Sequence, residues 1–301
     1  MNLIEALILG ALQGITEFLP ISSSGHLVLG QEILGLEVDL LKNFDVAVHV
    51  ASLLAIFVYF RRDLLGMLRA FFNLFRGRVD KEDPYGKLTV YIVIATIPVA
   101  LIGAFYGDWI DAQFRSAGGV AVAMIVTGFV FITGEFVYKY IHNSMPVKSR
   151  LAEKFLNCFE KLADWFKPGG YQRQRLQEIN LSGSIIIGLA QTAALIPGVS
   201  RSGATIVAGI FQGVERSTAA RFSFLLAMPA IAGAGVLTVF KNGEDIFISS
   251  AGASLWALVF GFLASFIFSF LSIGFLMRFF RRFSLNIFAV YLIVLGLWTY
   301  F

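Results

Sequence analysis

Glu17-Phe18-Leu19-Pro20-Ile21-Ser22-Ser23-Ser24-Gly25-His26 sets an acid, three hydroxyls and an imidazole inside one of the most apolar stretches of the chain. The stretch around it, residues 4–36, is too long for one membrane crossing and is broken near its middle. Each half has roughly 11 to 15 residues, or about 16 to 22 Å of helix, and so falls short of about 30 Å of hydrocarbon. A second apolar stretch, residues 182–214, is broken in the same way by Pro197-Gly198-Val199-Ser200-Arg201-Ser202-Gly203. Both read as re-entrant helix–loop–helix hairpins that dip into a membrane and return to the same side. Irregular backbone at that depth is tolerated only where it lines a polar cavity. Ionisable groups there are costly, which marks both breaks as a site.

The rest of the chain agrees with a membrane setting. Of 301 residues, 57% are hydrophobic and 15% charged, against about 25% charged in a soluble domain. That excludes a soluble globular enzyme. The net charge is only +4, and the basic residues cluster, which points to loop topology and away from nucleic acid. Cys158 is the only cysteine, so an intrachain disulfide and a thiolate metal cage are both excluded. The N-terminal residues lack a basic region and a small-residue cleavage site, so no signal peptide is expected. Six further apolar runs are long enough to span: residues 44–60, 88–107, 118–138, 218–240, 254–277 and 284–301. The expected fold is an all-α polytopic membrane protein forming one membrane domain over residues 1–301.

The two hairpins are related. A shift of 178 positions pairs Gly10 with Gly188, Gln13 with Gln191, Ser22 with Ser200, Ser24 with Ser202 and Gly25 with Gly203. It also pairs Gly35 with Gly213, Glu37 with Glu215 and Phe44 with Phe222, eight identities over 35 positions. Composition alone supplies roughly two or three, so the pattern reads as an internal repeat. Repeat one is residues 1–140 with its hairpin at 4–36, and repeat two is residues 181–301 with its hairpin at 182–214. Each holds a hairpin and three crossings, and the odd number inverts the second repeat. Lysines and arginines support this placement: seven lie in 61–87, eight in 139–175 and three in 278–282, while the opposite loops hold Lys42, Arg115 and Lys241. The rich loops are then cytoplasmic, both termini lie outside, and the hairpin tips approach from opposite leaflets. Between the repeats, residues 141–180 form a cytoplasmic loop. There Leu151, Phe155, Phe159, Leu162 and Phe166 suit a helix lying on the membrane surface. Phe71, Phe72 and Phe75 beside Arg69 and Arg76 suggest a second such helix, both serving as anchors.

Each returning hairpin helix is expected to begin near Ser-x-Ser-Gly, with serine as its cap and glycine allowing close approach of a ligand. Helix N-termini offer N–H donors and partial positive charge, which suits phosphate, and broken helices at a repeat interface hold anions in this way. Arg201 adds a fixed fork for phosphate oxygens. The constellation reads as an oxyanion site for phosphate or pyrophosphate. Phosphoanhydride hydrolysis needs charge neutralisation, a nucleophile and proton management. Either Ser23 or His26 serves as nucleophile, with the other assisting. Glu17 orients the imidazole, holds a divalent cation or activates water. Duller roles exist for each residue. The serines are caps, Arg201 is an ion-pair partner of Glu17, His26 bonds a backbone carbonyl, and Gln13 and Gln191 pack the hairpins. Asp45 and His49, one turn apart, read as a satisfied polar pair near the interface, in preference to a proton relay or a metal site.

The motif Gln13-Gly14-x-Thr16-Glu17-Phe18-Leu19-Pro20-x-Ser22-Ser23-x-Gly25-His26, with Pro197-Gly198-x-Ser200-Arg201-Ser202-Gly203-Ala204-Thr205, resembles the undecaprenyl pyrophosphate phosphatase family, also called the bacitracin-resistance family. The resemblance implies an integral membrane hydrolase that converts undecaprenyl pyrophosphate to the monophosphate and inorganic phosphate, recycling the cell-wall lipid carrier. By position it implies Glu17, Ser23, His26 and Arg201 as catalytic residues. Gln13, Ser22, Ser24, Gly25, Ser200, Ser202, Gly203 and Thr205 are then expected to bind substrate. It also implies support by a divalent cation (magnesium or calcium), with Glu17 as a ligand, and catalysis at the outer face of the plasma membrane. The expected partners are the polyprenyl pyrophosphate lipid and a second copy in a homodimer, with no nucleic acid. Ser24 stands where the family usually has threonine, and residues 146–180 form a longer stretch than is usual. The rival function is a secondary transporter or flippase for a phosphorylated lipid or another anion. A transporter needs an anion site but no nucleophile.

Overall fold

The structure is a computed structural model that describes residues 1–37, 41–76, 83–114, 116–142, 178–248 and 254–301. The surface helix expected around Leu151 to Phe166 lies outside these residues. Among the described residues every regular element is helical, giving an all-α polytopic membrane protein. The helices in chain order are α1 (Leu3–Thr16), α2 (Ser23–Ile33), α3 (Lys42–Tyr59), α4 (Arg61–Phe75), α5 (Pro84–Phe114) and α6 (Ala117–His142). Then follow α7 (Leu181–Thr192), a 3₁₀ turn at Ala193–Leu195, α8 (Arg201–Phe211), α9 (Arg216–Ile248), α10 (Leu255–Phe279) and α11 (Asn286–Tyr300).

Among the described residues, four helices are long and apolar enough to cross a membrane, over Pro84–Ile110, Ala117–Ile141, Arg216–Thr238 and Leu255–Phe279. The run expected at 44–60 appears as Asn43–Tyr59 and turns by 82° into Arg61–Asn73. That turn carries Leu65, Leu68, Phe71 and Phe72 of α4 outward, as a helix lying along a membrane surface requires. The run expected at 284–301 is realised as 15 helical residues, about 22 Å long and shorter than the hydrocarbon core.

Both apolar stretches break where expected, and they begin and end alike. Asn2 caps α1 through the N–H of Glu5, and Asn180 caps α7 through the N–H of Gly183. At the far ends, Gly35 (φ +67°) and Gly213 (φ +81°) adopt the left-handed conformation after α2 and α8. There Leu36 N–H reaches Gln31 and Val214 N–H reaches Gly209, closing each helix with the same turn. Within each pair the helices pack on each other, α1 on α2 and α7 on α8.

Small residues let the other helices close on these hairpins. α1 packs on α10, where a side chain at Gly10 would strike the Gly261 carbonyl, and α7 packs on α5, where one at Gly188 would strike the Ala95 carbonyl. α6 and α11 touch reciprocally, Gly128 against Ala289 and Gly296 against Ala121. Such contacts drive association where surrounding lipid is as apolar as the side chains. Polar bonds fix the register: Ser265 Oγ donates to the Val48 carbonyl, Ser269 Oγ to Ser52 Oγ and Ser272 Oγ to the Ile15 carbonyl. Two ion pairs, one buried and one partly buried, add further ties between helices. Asp63 of α4 holds Arg221 of α9, and Glu135 of α6 takes both Nε and Nη2 of Arg216 while accepting the Leu285 N–H at 2.8 Å.

Candidate active site

Pro20 and the residues around it end α1 at Glu17, which keeps helical backbone and donates its N–H to the Gln13 carbonyl at 2.9 Å. The carboxylate is turned inward, with 3% of its side chain exposed. Its Oε2 accepts from Ser23 Oγ at 2.6 Å and from Gln13 Nε2 at 2.9 Å. Its Oε1 accepts from Arg201 Nη1 at 3.2 Å. Hydrogen bonds to an ionised group are roughly twice as strong as neutral ones, and three such donors explain how an acid is retained here. The bond to Arg201 spans 184 positions. Ser202 Oγ adds a second tie across the breaks, donating to the Leu19 carbonyl at 3.2 Å. The two hairpin tips therefore meet, as the sequence requires.

The two helix starts differ. Ser200 is a working cap whose Oγ accepts the Gly203 N–H at 3.1 Å. Ser22 occupies the corresponding position but makes no side-chain cap. Its backbone sits at φ +70°, which costs of order 1–3 kcal/mol for a residue with a Cβ. Its buried Oγ has no partner among the described residues. The first turn of α2 is thus left uncapped beside Glu17, the arrangement an anion fills. Ser23 is partly buried and Ser24 exposed.

Other expected members have interior roles. The space beside Gly25 is filled by Met124 and that beside Gly203 by Phe131, so these glycines admit α6 where close approach of a ligand was expected. Thr205 Oγ1 bonds the Arg201 and Ser202 carbonyls and meets Ser223 Oγ at 2.6 Å, tying α8 to α9. Gln13 is fully buried against Glu17, and Gln191 is fully buried with neither amide atom partnered among the described residues. His26 does not bond Glu17. Its Nδ1 lies 2.8 Å from the Ser22 carbonyl and its Nε2 2.6 Å from the Tyr291 hydroxyl.

Asp45 and His49 meet through the Asp45 backbone carbonyl, and their side chains also reach other partners. Gln31 Nε2 donates to Asp45 Oδ1 at 2.8 Å. His49 Nδ1 donates to the Asp45 backbone carbonyl at 2.7 Å, which turns Nε2 to within 3.8 Å of Glu17 Oε2. His49 therefore belongs to the site. Its signal in the sequence was an imidazole in an apolar run, but spacing paired it with its neighbour. Tyr291 carried no signal, being one aromatic among many in an apolar helix.

A family model described as "Bacitracin resistance protein BacA" matches residues 6–298. The chain belongs to the BacA family. Relatives of this BacA-family chain include the Undecaprenyl-diphosphatase of Rubrobacter xylanophilus, 42% identical over 295 residues that cover 97% of this chain and 94% of the relative. The protein of the same name from Thermomicrobium roseum is 40% identical, covering 99% and 96%. That of Methanobrevibacter smithii is 36% identical, covering 99% and 96%.

Proposed function

We propose that the protein hydrolyses undecaprenyl pyrophosphate to undecaprenyl phosphate and inorganic phosphate. The observation that carries the chemistry is the 2.6 Å bond from Ser23 Oγ to Glu17 Oε2, a hydroxyl already joined to a carboxylate able to take its proton. Ser23 Oγ attacks the terminal phosphorus and passes its proton to Glu17. The phosphoanhydride P–O bond breaks and the lipid monophosphate leaves. Water then attacks the phosphoserine, the P–Oγ bond breaks, and phosphate departs with the proton returned to Ser23. Arg201 and the uncapped start of α2 neutralise the transferring group. His26, through Nδ1, fixes the Ser22 carbonyl and with it the start of α2. Glu17 and His49, 3.8 Å apart, would hold a divalent cation, which would supply further charge neutralisation there.

The finer architecture belongs to the same proposal. The two halves form an inverted repeat with re-entrant hairpins entering from opposite leaflets. The matched Asn2 and Asn180 caps, the matched Gly35 and Gly213 turns, and the reciprocal contacts of α6 with α11 support it. With the basic loops cytoplasmic, both termini and the site face outward in a plasma membrane.

Purified protein in detergent is expected to release phosphate from a farnesyl-type pyrophosphate. A carrier for phosphorylated lipid would release none, and that result would overturn the proposal.

A further inference from the structure

Tyr291 contacts the site from 265 positions away, yet it makes no contact with Glu17, Ser23 or Arg201 among the bonds of the described residues. It lies on α11, which is held firmly. Reciprocal glycine contacts seat α11 on α6, and Glu135 anchors the Leu285 N–H just before its first turn. From that fixed position the phenol faces His26, with ring centroids 5.6 Å apart and planes at 14°.

The carbonyl contact of His26 fixes where one of its protons sits. A carbonyl only accepts, so Nδ1 must carry a proton to bond the Ser22 oxygen at 2.8 Å. On the neutral ring, Nε2 then holds the lone pair, and the Tyr291 O–H donates to it at 2.6 Å. Ser22 is also the residue held at φ +70° with no cap of its own. Its carbonyl is restrained by the imidazole and by the His26 N–H at 3.3 Å. Ser23, the next residue, places its hydroxyl on Glu17. The contacts thus run from the phenol to the imidazole and to the Ser22 carbonyl, and the chain continues directly into Ser23.

We infer that Tyr291 is a positioning residue for the hydrolysis. It holds His26 in the Nδ1-protonated tautomer, which keeps Ser22 in its strained conformation and Ser23 on Glu17. The phenol makes and breaks no bond in the reaction and keeps its proton throughout. This role rests on the phosphatase reading above.

The test uses the full-length protein and Tyr291→Phe, which keeps the stacked ring and removes only the hydroxyl. With a farnesyl-type pyrophosphate, kcat is expected to fall about tenfold, the worth of one hydrogen bond, while KM stays within about twofold and the melting temperature is unchanged. In ¹⁵N-histidine-labelled protein in nanodiscs without substrate, the His26 resonances, identified by their loss in His26→Gln, are expected to move or split between tautomers. A wild-type kcat in Tyr291→Phe, an unmoved ¹⁵N spectrum, or a melting temperature that falls in step with kcat overturns the inference. If the wild-type protein itself releases no phosphate, the phosphatase reading fails, while the ¹⁵N spectra still decide whether Tyr291 sets the state of His26.

Discussion

Replacing Glu17 by glutamine changes one oxygen to an amide nitrogen at nearly constant shape, and the geometry dictates the cost. Oε2 accepts from Ser23 at 2.6 Å and Gln13 at 2.9 Å, while Oε1 accepts from Arg201 at 3.2 Å. With the amide oxygen at the Oε2 position, its NH₂ faces the Arg201 guanidinium, donor against donor. With the amide reversed, the NH₂ faces the Gln13 amide and blocks the proton path from Ser23. Either way the group that takes the serine proton is gone, and general-base loss costs about 10² to 10⁴ in rate. An expected fall of about a thousandfold in kcat corresponds to about 4 kcal/mol. Stability changes less, because the Arg201 side chain is 32% exposed and water replaces part of what it loses. Phosphate release under saturating lipid pyrophosphate, with a thermal melt of the same preparation, measures both. A Glu17→Gln variant that stays folded and keeps kcat within tenfold of wild type would refute the assignment of Glu17 as base.

Four other substitutions probe separate parts of the molecule. Arg201→Lys keeps the charge but loses the planar fork, so kcat/KM should drop about 10- to 100-fold in the phosphate assay; an unchanged value removes Arg201 from the anion site. Glu135→Gln strips a bidentate partner from part-buried Arg216 and weakens the bond to Leu285 N–H, costing about 2–3 kcal/mol. Its melting temperature should fall sharply while the folded protein still turns over. Gly10→Ala drives a methyl into the Gly261 carbonyl and should destabilise by about 1–3 kcal/mol. Gly233→Ala, where a Cβ meets open space, should be neutral or stabilising by about 0.5–1 kcal/mol in the same melt.

Much of the fold was legible because its signals are local. Hydropathy over a window of one crossing marks a span, and proline, serine and glycine at fixed positions break it. The proposed repeat rests on identities around the breaks, although Asn2 and Asn180, which cap the two hairpins alike, fell outside the compared window. The last span was harder to read. Apolar residues continue to the end of the chain, but composition does not show that regular helix begins only at Asn286.

Residue type and spacing alone determined that an acid, hydroxyls, an imidazole and a guanidinium sit at two breaks in an apolar chain. They pointed to an anion as the ligand, because helix starts and an arginine in that setting suit one. Three choices were left to the tertiary structure. Ser23 rather than His26 lies against Glu17, His49 faces that carboxylate while bonded to the Asp45 backbone, and Tyr291 closes on His26. The physical reason is range. A hydrogen bond is decided within about 3 Å, and which side chains come that close depends on how α1, α2, α3, α8 and α11 pack, a property of several helices at once that no stretch of sequence contains.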